Sequence, residues 1–264
     1  MNQNVLILGL HRVGFPPPNA KIRGLFVSPK MLSFELWLLE KLGYRFATLK
    51  DAMLDPSGKT AVITFDDGYE DNYIDGLPVL DSYNAPATIF VVTADVGKKD
   101  VCWEEAGEQL PADMIDWEML AELQRKGWEV GSHSHQHIHL DRRRSVDQES
   151  LICHSVFAIE ERLGTVPISF AYPYGRFDEN TKTILRRFGI RFAVTTEAPD
   201  RASRAASEDL LELKRLSLGG RRFYHYARVL FRTLAIVGFG ESFRTVFREA
   251  GTRFVPVIAK RFGR

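Results

Sequence analysis

Ala61-Val62-Ile63-Thr64-Phe65-Asp66-Asp67-Gly68-Tyr69 is the stretch on which the reading of the fold turns. An apolar run of strand length ends abruptly on two neighbouring carboxylates and a glycine, where the chain can change direction sharply. Runs of the same kind recur at 5–10, 88–92, 129–131, 168–171 and 192–194, and helical patterns fill the intervals at 30–42, 72–83, 116–125, 146–163 and 179–188. Such alternation predicts parallel strands joined by crossover helices, hence an α/β chain built as a (β/α) barrel or a doubly wound sheet. Barrels gather their chemistry where strands end and loops begin. His11, Asp66 with Asp67, His133 and the stretch 172–175 each follow a predicted strand, so four strand ends are expected to face one mouth.

The bulk numbers agree with one barrel-sized domain: 264 residues, 45% of them hydrophobic. A net charge of +1 provides no basic excess for a phosphate backbone, and no nucleic-acid partner is expected. The charge is unevenly spread. Residues 220–264 carry ten Lys/Arg against two Asp/Glu, with Arg221, Arg228, Arg232 and Arg244 interleaved with Phe231, Ile236, Phe239 and Phe243. The expected division is a catalytic barrel over 1–219 and a basic amphipathic helical extension over 220–264. Helices of that composition lie on an anionic membrane surface, pack on an acidic protein face or form a dimer contact. Cys102 and Cys153 are far apart and outside any CxxC setting, which argues against both a zinc knuckle and a disulfide framework. Residues 1–10 lack a basic leader region and are too short for a signal core or a span. The expected location is the cytoplasm, with peripheral contact at the inner membrane through the tail.

Adjacent acids in one pocket are costly unless positive charge lies beside them. A divalent cation would satisfy one and leave the other free to act as a base. Taken alone, Asp66-Asp67-Gly68 reads equally as a solvated turn with Asp67 capping the following helix. His133, His135, His137 and His139 crowd four of the seven histidines of the chain into one short segment. A spacing of four puts two imidazoles on one face of a helical turn, as metal ligation requires. Of the two such pairs, His133 with His137 is preferred, because His133 leaves its strand directly. Phe170-Ala171-Tyr172-Pro173-Tyr174-Gly175 is an aromatic turn able to present ring faces and backbone N–H groups.

Together, these three segments resemble the polysaccharide deacetylase family, carbohydrate esterase family 4, in order and spacing from His11 to Thr196. The resemblance implies a distorted (β/α) barrel and hydrolysis of N-acetyl groups on amino sugars. It implies Asp66 as general base and Asp67, His133 and His137 as metal ligands, with zinc expected and cobalt, nickel or iron found in other members. The Tyr174 N–H would be an oxyanion donor, with Ser134 as a supporting group and Tyr172 and Pro173 beside the substrate. The expected partner is an N-acetylated glycan or a lipid-linked amino sugar.

Two departures stand out. The arginine that many members carry in the third motif, where it orients the base, is Ala171 here, and 211–220 lacks the late histidine that protonates the leaving amine. The chain is closer to the exopolysaccharide and poly-N-acetylglucosamine deacetylase branch, in which an early histidine follows the first strand. His11 then takes the acid's role, or else is a structural histidine beneath the loop; His225 is the fallback. Trp103, on the long loop after the third strand, either stacks on a sugar ring or lies as a lid over the core. Two other functions remain open: a catalytically silent glycan-binding barrel, and a metal-dependent amidase or deformylase acting on another small amide.

Overall fold

The computed structural model describes residues 4–55, 57–103, 110–196 and 209–217. In chain order the elements are β1 (Asn4–Leu10), β2 (Arg12–Val13), β3 (Phe26–Val27), α1 (Pro29–Lys41), β4 (Arg45–Ala47), α2 (Leu49–Leu54) and β5 (Lys59–Phe65). They continue with a π-helical turn (Asn72–Gly76), α3 (Leu77–Asp81), β6 (Ala87–Val91), α4 (Trp117–Arg125), β7 (Glu129–Ser132) and α5 (Ser145–Leu163). β8 (Ser169–Ala171), α6 (Glu179–Arg187), β9 (Phe192–Val194) and β10 (Leu216–Ser217) complete the described fold. The expected extension over 220–264, including His225, lies outside the described residues.

The main sheet is parallel and runs β10-β1-β5-β6-β7-β8-β9, with β4 also paired to β5. The returning segment links the two sheet ends: Leu213 bridges Val194 beside β9, and Leu216 pairs with Leu8 of β1. The expected barrel of parallel strands is therefore present, curled and joined through 209–217.

Strand periodicity sorts the side chains into an inside and an outside. On β1, Val5 and Ile7 join Val62, Phe90, Ala171, Phe192 and Val194 in an interior cluster, whereas Leu6, Leu8 and Leu10 pack outward with α1 residues such as Leu32 and Leu36. Phe170 and Ala193 face Ile152 and Val156 of α5 and Ile184 and Leu185 of α6. The interior is tight. A Cβ on Gly131 would lie 2.6 Å from the Phe90 ring and 3.0 Å from the Ser169 carbonyl oxygen, so this strand position must lack a side chain. α2 closes the lower end, its Leu49 N–H donating to Thr88 Oγ1 and its Lys50 N–H to the buried Glu129.

The helices begin where the sequence supplies caps. Ser28, Asp116 and Asp178 accept from Met31, Met119 and Thr181 N–H respectively. One predicted helix takes a different form: 72–83 opens as a π turn before α3, with Pro78 in the first turn of α3. Proline lacks the N–H that a continuous α ladder would need there. The wider turn leaves Asn72 buried, and its Nδ2 donates to the His11 carbonyl at 2.7 Å.

Candidate active site

The same alternation that sets Val62 inside brings Thr64 and then Asp66 to the inner face at the end of β5. Asp66 continues the ladder, its N–H donating to Leu10 O at 2.9 Å. Asp67 then adopts φ 75° and Gly68 φ 79°, a pair of left-handed residues that swings the Asp67 carboxylate across the mouth. Ser134 (φ 68°) and Tyr174 (φ 58°) are left-handed as well, so three strand ends carry a strained non-glycine residue within the same site.

His133 leaves β7 on the inner face. The chain from 133 to 139 is not a helical turn, contrary to the spacing argument; the left-handed Ser134 and the bends that follow fold His137 back onto His133 instead. Their rings lie 5.1 Å apart, and both Nε2 atoms face Asp67 Oδ1, at 3.2 Å from His133 and 3.3 Å from His137. All three residues are buried, with one donor atom from each within 4.8 Å of the others. Nor is Asp67 a helix cap: neither of its oxygens has a hydrogen-bond partner among the described residues.

These groups fit a cation. The Ala171 carbonyl can only accept, so its 2.7 Å contact with His133 places the proton on Nδ1 and leaves the Nε2 lone pair facing a carboxylate oxygen. Two acceptors at that distance repel unless a proton or a metal ion lies between them. A buried, ionised acid costs several kcal/mol unless a positive charge compensates it, about what an ion pair loses when one member is removed. The two imidazoles respond in opposite directions. Burial lowers the His133 pKa, but Asp67, Asp66 and the Ala171 contact outweigh it and the net shift is upward; at His137 burial prevails over Asp67 and the shift is downward. Burial raises the Asp67 carboxyl, yet the two histidines hold it well below the usual carboxylate range.

Asp66 is held differently. Arg215 grips it with both guanidinium arms, Nη1 to Oδ1 at 2.7 Å and Nη2 to Oδ2 at 2.6 Å. Nη1 also donates to Thr64 Oγ1 at 2.9 Å, and Nε to the Thr195 carbonyl at 2.9 Å. Burial pushes the Asp66 carboxyl upward, but Arg215, with His133 and His11, brings it below its ordinary value. The arginine absent at Ala171 is thus supplied from the residue just before the last strand, whose short pairing gave the sequence no strand signal. Gly9, facing Arg215 from β1, leaves room for it: a Cβ there would sit 3.4 Å from Arg215 Nε.

His11 is at the mouth, its side chain 27% exposed and its Nε2 4.0 Å from Asp66 Oδ2. Asn72 holds its backbone from one side, while Asp71 accepts from Val13 N–H and Arg12 Nε just beyond. The Tyr174 ring meets His137 edge-on at 4.4 Å and stacks on His139 at 4.2 Å. Trp103 is half-buried, with its ring 4.4 Å from His137. Two expected substrate residues are not at the surface. Tyr172 has the opposite strand parity to Ala171, is 1% exposed, stacks on Phe177 at 4.3 Å and donates its hydroxyl to Leu211 O at 2.9 Å. Pro173 is buried beside it. The Tyr172 hydrogen bond fastens the returning segment that carries Arg215. Ser134 is buried as well, with no partner for its hydroxyl among the described residues.

Comparison with known proteins gives a consistent picture. The sequence profile described as "Polysaccharide deacetylase" matches residues 54–193. YxkH of Bacillus subtilis (strain 168), whose name places it among polysaccharide deacetylases, is 33% identical over 189 residues, 69% of this chain and 62% of its own length. The chain thus spans less than two thirds of that relative. The poly-β-1,6-N-acetyl-D-glucosamine N-deacetylase of Staphylococcus aureus (strain MRSA252) is 26% identical over 74% of this chain and 72% of its own. Among solved structures, IcaB from Ammonifex degensii superposes with a TM-score of 0.69 at 25% identity, covering 85% of this chain and 94% of that one.

Proposed function

The chain belongs to the polysaccharide deacetylase family, and from that premise we propose that it hydrolyses N-acetyl groups on the amino sugars of a glycan at a divalent metal held by Asp67, His133 and His137. The observation that carries this reading is the buried Asp67 carboxylate, which among the described residues has no hydrogen-bond partner and faces two imidazole nitrogens at 3.2 and 3.3 Å. Two histidines and one carboxylate leave coordination positions open, as a catalytic ion needs. We assign zinc, whose preference for nitrogen and oxygen donors this set meets; cobalt, nickel and iron meet it as well.

When bound, such an ion polarises the amide carbonyl and acidifies water. The chain's own residues do the rest. Asp66 takes the proton from the attacking water, held in orientation by the two Arg215 hydrogen bonds. The Tyr174 N–H, turned by its left-handed backbone, is assigned to the developing oxyanion. His11, whose Nε2 lies 4.0 Å from Asp66 Oδ2, gives its proton to the departing amine. The Arg215 grip also removes one ground for a silent barrel, the arginine missing at Ala171.

Acetate release from short β-linked N-acetylglucosamine oligomers by zinc-loaded protein tests the reading. Release that is lost in His133→Ala supports it; zinc-bound protein that releases no acetate, yet cleaves formyl or other small amides, refutes the N-acetyl assignment. His11→Ala is expected to keep zinc and lose about 10²-fold or more in turnover, and unchanged turnover would remove it as the acid. The poly-β-1,6-N-acetylglucosamine relative makes a β-1,6-linked oligomer the first choice of substrate.

No helix among the described residues is long and apolar enough to cross a membrane. A peripheral contact through the basic segment 220–264, with a lipid-linked sugar as substrate at the inner leaflet, is proposed on composition alone. Liposome binding that survives deletion of 220–264 would dispose of it.

A further inference from the structure

The two metal-facing histidines are fastened by different means. His133 has a hydrogen bond from Nδ1 to the Ala171 carbonyl, whereas His137 Nδ1 is buried with no hydrogen-bond partner among the described residues. Ligating histidines are ordinarily oriented by a hydrogen bond from the second nitrogen. The imidazole torsion has broad, roughly two-fold preferences, so rotamer energetics alone do not fix where Nε2 points.

Around His137 the place of that hydrogen bond is taken by rings. The Trp103 indole lies 4.4 Å from the imidazole at a 30° tilt, and Tyr174 meets it edge-on at 4.4 Å. Trp103 is itself anchored, its Nε1–H donated to Asp95 Oδ2 at 2.8 Å, and Asp95 is also paired with Lys98 at 3.1 Å. Tyr69, buried next to the Asp66-Asp67-Gly68 turn, packs against the indole at 6.0 Å.

We propose that Trp103 is a positioning residue for His137: its indole, anchored by Asp95, and the Tyr174 ring clamp the imidazole in the orientation that metal binding needs. This rests on the metal reading above and extends it to a residue outside the ligand set. Trp103 then acts through metal retention, and its contribution falls on zinc affinity rather than on sugar binding.

Zinc affinity of the full chain, measured by competition with a chromogenic chelator, separates these roles without any turnover. Trp103→Ala is expected to weaken zinc about tenfold or more, and Trp103→Phe, which keeps an aromatic face, to stay within about threefold of wild type. Asp95→Asn, which unmoors the indole without emptying the space it fills, is expected to weaken zinc by a smaller factor and serves if Trp103→Ala does not fold. Melting curves show which variants are folded. Wild-type zinc affinity in folded Trp103→Ala, or in Asp95→Asn when the alanine variant is unfolded, overturns the proposal; a raised KM for the oligomers with zinc affinity unchanged would make Trp103 a sugar platform instead. Wild-type protein that binds no zinc would overturn the metal reading and this inference together. Zinc binding without acetate release would count against the deacetylase reading alone.

Discussion

Asp66→Asn is expected to lower acetate release by about 10³-fold while zinc still binds stoichiometrically. Asparagine has the shape of aspartate but cannot take a proton from water at neutral pH, and the substitution leaves Asp67, His133 and His137 intact. The cost is not confined to catalysis. Arg215 is 3% exposed, and the substitution leaves its buried guanidinium facing a neutral amide. A lower melting temperature should therefore accompany the lost turnover. Release within about tenfold of wild type, from folded and zinc-loaded protein, would mean that Asp66 is not the base.

Arg215→Met is expected to destabilise the fold by about 3–5 kcal/mol in urea unfolding, because it strands the buried Asp66 carboxylate without its counter-charge. Turnover should fall too. The Asp66 pKa rises once the guanidinium that offsets its burial is gone, and nothing then fixes the carboxylate's orientation. The double variant Arg215→Met with Asp66→Asn separates charge from packing. Two neutral groups replace two charges, so the double variant should be more stable than the sum of the single losses allows, although it stays inactive. Strict additivity of the two unfolding free energies would show that the pair is not coupled and would end the account of Arg215 as the support of the base.

Much of the fold is visible in the apolar runs, because β1, β5, β6 and β7 are long enough for their composition to register and are separated by helical segments. What escaped has separate causes. β10, with two residues, owes its extended form to pairing with β1 and is too short for a periodicity argument, whereas β4, no shorter than β8 and β9, opens on the exposed Arg45 and lacks their buried run. With β10 the sequence concealed Arg215, 149 residues from its partner Asp66. A signal was there in retrospect, a single arginine between Leu213 and Leu216, but only the fold shows that it turns inward. At the site, the Asp66-Asp67 and His133-His137 motifs were legible because their residue types restrict the chemistry. The reason given for the histidine spacing was nevertheless wrong, since a left-handed turn rather than a helix brings the pair together. Tyr172 was misjudged for want of parity: a residue after a strand continues the alternation, and this one falls on the outer face with Phe170.

The central claim is that a metal ion at Asp67, His133 and His137 is needed for glycan N-deacetylation, and the most direct test is acetate release from β-1,6-linked N-acetylglucosamine oligomers as zinc is titrated into chelator-stripped protein. The account predicts no release at the start, a rise in proportion to zinc that levels off at one equivalent per chain, and no rise in His133→Ala. Full release from the stripped protein, or an equal response to zinc in His133→Ala, would contradict it.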